Sequence, residues 1–292
     1  PDAVSATLKK KAHEAFAKLN EFYMDGAKPA PFQATKLGKW IVKGPLAKGD
    51  MADVYSAESR EDGEAILKIS RSPKDNDLMA SEAESLKKLC ADSDPDNFKK
   101  YLPRLLDSFK ASDRRANVFA ADHAVRRASL DEILAQHPGG LDFRHVVWMT
   151  NRLFSILGYI HTKGIVHGAV LPQHLLYGID DHGLLLVDWC YSVEIGKPLK
   201  AVPAGMKTRY PPLSLKKQPA DPSVDIYMAA RAMSAVAERV PTRFDPLLHQ
   251  WALATSPRAR PQDAWKLQDI WMKLAEEEYG KPKYIKLELA VN

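Results

Sequence analysis

The chain has 292 residues, 45% hydrophobic and 27% charged, with 42 basic and 37 acidic side chains and a net charge of +5. That length and apolar content support a sizeable core and fit one two-lobed domain with flanking pieces better than two independent domains. Lys and Arg are dispersed, with no block that reads as a nucleic-acid tract, and Lys9-Lys10-Lys11 falls in a helical pattern as a solvated face. Two cysteines, Cys90 and Cys190, can build neither a disulfide framework nor a four-cysteine zinc site, and they make a reducing cytoplasm the expected setting. No apolar run approaches the ~18 residues of a membrane span, and no signal peptide is visible. The chain begins at Pro1 rather than Met, as a processed form or a fragment would.

In chain order, Leu8, Ala12, Phe16, Leu19 and Tyr23 recur at three- and four-residue spacing, which predicts an amphipathic helix over 7–25 closed by Gly26. Lys28-Pro29-Ala30-Pro31 reads as a linker, so 1–36 forms a first piece. Residues 37–122 are strand-rich around one helix: strands at Tyr55–Ala57 and Ala65–Ser70, a helix over Asn76–Leu89, then strands at Arg104–Phe109 and Ala116–Ala120. A hinge is expected at 121–124. Residues 123–279 are mostly helical, with helical periodicity over 142–162, 223–238 and 261–278. Asp180-Asp181-His182-Gly183 reads as a solvated hairpin turn, and the alternating Tyr284–Leu289 makes 280–292 a tail with a candidate strand. Strands first and helices second indicate an α+β fold in two lobes.

The most informative segment is Ile160–Leu176, where His167-Gly168-Ala169-Val170-Leu171-Pro172-Gln173-His174 follows Gly164-Ile165-Val166. It resembles the catalytic loop of the protein kinase superfamily, whose pattern is His-Arg-Asp-Leu-Lys-Pro-Glu-Asn. Other markers of that family stand in family order over about residues 40–275. Ala47-Lys48-Gly49-Asp50-Met51-Ala52-Asp53-Val54 corresponds to the glycine-rich loop but keeps only Gly49 of three glycines, so it reads equally as an ordinary turn between strands. Lys68 ends Ala65-Ile66-Leu67-Lys68 and matches the phosphate-holding lysine; Glu82 shares a helix face with Leu86 and Leu89 and is its expected partner in preference to Glu84. Asp188-Trp189-Cys190 matches Asp-Phe-Gly, which makes Asp188 the expected Mg²⁺ ligand. With Cys190 in place of glycine, a flip of this segment is expected to be hindered.

The resemblance implies the two-lobed kinase-like fold, with His167, Leu86, Trp189 and either Leu105 or Leu106 in an apolar column between the lobes. It also implies Asp225 as the anchor of the catalytic loop and Arg260 as a buried arginine whose customary glutamate has no counterpart in Tyr210-Pro211-Pro212-Leu213.

The chemistry-bearing positions depart from the pattern. Ala169 cannot accept the substrate's proton, a function worth about 10²–10⁴-fold. Leu171 removes a cation from the moving phosphoryl group. His174 replaces the asparagine that holds a second metal; it is either a ligand suited to zinc or a transition metal, or a histidine hydrogen-bonded in place. Gly168 removes the arginine that pairs with a phosphorylated activation segment. Ile66 stands where alanine usually faces the adenine ring, narrowing the slot.

The expectation is a catalytically silent kinase-like module, a pseudokinase, that works through a protein partner, with ATP and Mg²⁺ bound weakly or not at all. Its candidate nucleotide-site residues are Gly49, Lys68, Glu82 and Asp188. One alternative is an atypical phosphotransferase or nucleotidyltransferase. Another, suggested by Ala15–Glu21, which resembles the later helices of a J domain without the His-Pro-Asp tripeptide, is the kinase-like part of a co-chaperone.

Overall fold

The computed structural model describes residues 34–121, 126–253 and 259–289. The helix expected over 7–25, its linker and most of the expected hinge lie outside these residues.

Six antiparallel strands build the first lobe: β1 (Thr35–Leu37), β2 (Trp40–Lys48), β3 (Ala52–Ser59), β4 (Gly63–Ser70), β5 (Leu105–Ala111) and β6 (Arg114–Ala120), in the spatial order β1-β2-β3-β4-β6-β5. The period-2 alternation of β4 sends Ala65, Leu67 and Ile69 to one face, where they bury Trp40, Val42, Ala57, Ala116 and Val118. The sheet curls until its ends meet: Trp40 Nε1 on β2 donates to Asp107 Oδ2 on β5 at 3.0 Å. Its other face carries α1 (Asn76–Cys90), whose Leu78, Met79, Leu86 and Leu89 join the main core.

The second lobe contains β7 (Arg127–Ser129), α2 (Leu130–Gln136), α3 (Phe143–Thr162), β8 (Ile165–Val166), β9 (Leu175–Gly178), β10 (Leu184–Leu186), β11 (Val193–Glu194), α4 (Pro222–Val236), α5 (Asp245–Leu253) and α6 (Ala264–Tyr279). Small sheets β10-β9-β7 and β11-β8 present the loops between them to the first lobe. Three helix starts are set by aspartates that accept backbone N–H groups, Asp142, Asp221 and Asp263. Gly158 on α3 lets α6 approach closely, since a Cβ there would lie 2.4 Å from the Trp265 ring. No helix among the described residues is long and apolar enough to cross a membrane.

Three expectations need correction. Strand β2 and helices α2 and α5 were not anticipated, although α2 opens on a full capping box, Ser129 with Glu132. The tail forms no strand over its described residues; it lies across the second lobe, with Leu287 buried and His137 Nε2 donating to the Glu288 carbonyl at 2.9 Å. The 180–183 segment is a hairpin turn with Asp180 and Asp181 exposed, but His182 is buried, its ring between those of Trp148 (4.0 Å) and the tail's Tyr284 (4.4 Å). An imidazole with aromatic planes on both faces is shielded from water, however polar its neighbours in sequence are.

Candidate active site

The site lies where the sheet faces the β9–β10 hairpin, in a cleft of about 1320 Å³ lined by Val54, Ile66, Lys68, Phe119, His174 and Asp188 among others. β4 directs Lys68 into it, and α1 brings Glu82 to the same point. Lys68 Nζ donates to Glu82 Oε1 at 3.0 Å, to Cys190 Sγ at 3.1 Å and to Asp188 Oδ1. Glu82 is itself held by Asn117 Nδ2 (2.9 Å) and the Trp189 amide (3.2 Å), while Glu84 is exposed, so the helix-face choice between them follows the structure. Burial alone would lower the Lys68 pKa, but Asp188 and Glu82 hold its ammonium well above the usual range. Cys190 is pushed up by burial and then by Glu82, so it remains a neutral thiol.

Asp188 is engaged on both oxygens. Lys68 takes Oδ1, and His174 Nε2 lies 3.1 Å from Oδ2. Burial would raise the Asp188 pKa, yet Lys68 and His174 hold the carboxyl well below its normal value. The other nitrogen of His174, Nδ1, faces the Ala169 carbonyl at 2.8 Å. Both ring nitrogens thus face oxygen atoms, which fixes the orientation of the ring. Of the two readings of His174, the geometry realises the hydrogen-bonded one.

Asp188 takes the left-handed conformation, φ +64°, and Cys190 does not. The cysteine in place of glycine therefore imposes no strain on the arrangement seen, and Asp188 points into the cleft. Trp189 is fully buried with its ring 4.6 Å from His167, and Leu86 lies in the same core. Of the two candidates for the top of this column, Leu105 packs against that core and Leu106 against the inner core of the sheet. Asp225 accepts from the amides of His167 and Gly168, each at 2.8 Å, and from His161 Nε2 at 3.0 Å. Burial pulls the His167 pKa down to about 4; the neutral ring donates Nε2–H to the Val187 carbonyl and accepts from the Ala169 amide. Gly168 has φ +72°, and a Cβ there would meet the Tyr191 carbonyl at 2.7 Å. Arg260 is buried over the Tyr227 ring, 5.6 Å away, with Nε unpartnered; among the described residues no carboxylate pairs with it.

The degenerate positions are packed as core. Ala169 and Leu171 are buried (0% and 1% exposed), so neither presents a group to the cleft, and the loop contributes Gln173 and His174 to its wall instead. Gly49 donates its own N–H to the Ala52 carbonyl at 2.9 Å, and Asp50 accepts from the Ala204 amide, so this loop is closed on the protein as a turn.

The cleft exceeds the ~300–1,000 Å³ of ordinary ligand pockets, so a nucleotide has room. Glu82, Asp188 and Cys190 bring three potential ligand atoms together, but the Lys68 ammonium stands among them. A hard divalent cation needs free oxygen ligands, and here it would have to displace Lys68 or His174. The residues present do not fit a resident Mg²⁺.

No family model matches the chain. Over 211 residues it is 23% identical to calcium/calmodulin-dependent protein kinase type 1 of Caenorhabditis elegans, a match covering 70% of this chain and 57% of that protein. A stretch of 58 residues is 40% identical to a serine/threonine-protein kinase of Drosophila persimilis, covering 18% of this chain and 8% of that protein. The chain therefore spans less than two-thirds of the length of either relative. Among solved structures, the PknI kinase domain of Mycobacterium tuberculosis superposes with a TM-score of 0.64 at 16% identity, covering 84% of this chain and 99% of that one. A double-mutant form of the same domain gives 0.65 at 17% identity, covering 85% and 100%. With its curled sheet, its interlobe Lys68–Glu82 pair and its Asp225-anchored loop, the chain has the two-lobed α+β fold of the protein kinase superfamily.

Proposed function

We propose that the chain is a pseudokinase: a kinase fold that transfers no phosphate and serves as a protein-binding module. One observation carries the reading. Both oxygens of Asp188, the residue that would hold the phosphate-bridging metal, are already engaged by the protein's own side chains, Lys68 and His174. The buried methyl group of Ala169 adds to this, because the loop offers no proton acceptor in its place. Nucleotide binding is weak on this reading, since Lys68 must leave Asp188 to meet a phosphate. The two free cysteines, one exposed and one buried, fit a reducing compartment.

The test is incubation with radiolabelled ATP and Mg²⁺ or Mn²⁺. No label above background is expected on the protein or on added acceptors; label that disappears in Lys68→Ala and Asp188→Ala overturns the proposal. A second reading, an atypical phosphotransferase, draws on the formed Lys68–Glu82 pair, which active kinases require. The same assay decides between the two.

A further inference from the structure

The segment between β11 and α4 carries charge out of proportion to its length. From Ile195 to Ala220 there are six cations, Lys197, Lys200, Lys207, Arg209, Lys216 and Lys217, and no acidic residue. Six exceeds the net charge of the whole chain, +5, so everything outside this segment is slightly acidic.

The segment is a closed loop. Its ends are tied by Gly196 N to the Ala220 carbonyl (2.8 Å) and Ala220 N to the Lys197 carbonyl (2.9 Å). Leu199, Pro203, Tyr210 and Pro211 anchor it by burial, and five prolines stiffen it. Two further bonds pin it to the first lobe: Lys200 Nζ donates to Ser81 Oγ, and Asp50 accepts from the Ala204 amide.

Lys197, Lys207, Lys216 and Lys217 are exposed, and among the described residues none pairs with a carboxylate. The acids at the loop's ends are already engaged, Glu194 with Lys88 at 2.8 Å and Asp221 with the Ser223 amide at 2.9 Å. Ile195 and Leu215, 40% and 39% exposed, place apolar surface in the same segment.

We infer that this loop is a docking surface for an acidic polypeptide segment with interspersed apolar residues. Rigid presentation of like charges favours an extended anionic partner, because the loop has little entropy left to lose. Two other anions fit less well. The loop's single aromatic ring, Tyr210, is buried, which removes the stacking platform that single-stranded nucleic acid uses. Pro203, Ala204 and Met206 form part of the wall of the interlobe cleft, a concave place that a flat bilayer cannot follow. The inference rests on the chain being a protein-binding module and gives the chemistry of its partner; it does not rest on catalytic silence.

The experiment measures fluorescence anisotropy of a labelled glutamate-rich peptide containing leucines, titrated with the full chain. Two variants of equal charge change are compared: Lys207→Glu/Lys216→Glu/Lys217→Glu in the loop, and Lys273→Glu/Lys281→Glu/Lys283→Glu on the exposed end of α6 and the tail. All six positions are exposed, and melting temperatures verify that both variants fold. Expected are binding weakened at least about tenfold by the loop variant, a change under about threefold in the control, and loss of affinity with rising salt. Equal weakening in both variants, no binding by the parent chain, or tighter binding to a single-stranded oligonucleotide or to phosphatidylserine vesicles overturns the inference. Peptide binding by a chain that also labels acceptors from ATP would leave this surface standing while ending the proposed silence.

Discussion

Lys68→Met separates a structural lysine from one held ready for a ligand. The side chains involved are largely removed from water: Lys68 is 12% exposed, Glu82 2% and Asp188 21%. Removing one partner of a buried ion pair costs about 3–5 kcal/mol because the other charge stays buried. Here the loss is cushioned, since Glu82 keeps Asn117 and the Trp189 amide, and Asp188 keeps His174. The lower end, about 3 kcal/mol, is therefore expected, which in a chain of this size lowers the melting temperature by about 6–12 °C. Urea unfolding followed by tryptophan fluorescence reads this directly, because Trp189 adjoins the pair in sequence and its amide bonds to Glu82. A double-mutant cycle with Asp188→Asn should show about 1–3 kcal/mol of coupling, the double variant being less damaged than the two single changes added together. A loss under about 1 kcal/mol, or simple additivity, would refute the view that Lys68 holds the lobes together without nucleotide.

His174→Asn frees Asp188 Oδ2 and is expected to create a Mg²⁺-dependent thermal shift with ATP; the same shift in the parent chain would show that His174 does not block the metal. Burial holds His167 and His145 at about 4, below the ~6.5 of an unfolded chain, so the unfolded state takes up their protons first as pH falls. Stability is therefore complete above about pH 6.5 and falls toward pH 4, by up to ~1.4 kcal/mol per pH unit for His167; urea midpoints across that window should show it, and His145→Gln should flatten the slope. Gly158→Ala drives a methyl into the Trp265 ring and should destabilise by about 1–3 kcal/mol despite alanine's helix preference, whereas Gly139→Ala, with open space around it, should be near neutral in the same unfolding assay.

What could be read from the sequence was what is local. Alternation marked β4, and helical spacing marked α1, α3, α4 and α6 to within a few residues. β2 escaped because Gly44-Pro45 interrupts its pattern and its pairing with β3 carries two register shifts, so the strand survives through its neighbour rather than its own propensity. Lys68, Glu82 and Asp188 were found because the order of motifs along the chain is itself a signal. The second partner of Asp188 was not, because residue 174 reaches it only once the hairpin of β9 and β10 has folded. His182 misled for the same reason, its tail partner lying about a hundred residues further on.

The interlobe contacts share one property that bears on function. Lys68 with Asp188, Lys88 with Glu194, Ser85 with Ser192, Lys200 with Ser81 and Asp50 with the Ala204 amide all join the first lobe to the segment running from Asp188 to Ala204. Together these bonds fasten that segment to the first lobe. Lys200 fastens this segment inward, while Lys197 on it and Lys207 just beyond it face outward. A ligand that pulled the segment away from the first lobe would break several of these bonds together. Such a partner must bind the open form far better than the closed one, by about 10⁴-fold to reverse a strongly closed population. An acidic segment bound to the outward lysines leaves the inward contacts intact, so its binding stabilises the closed form and should raise the melting temperature rather than lower it.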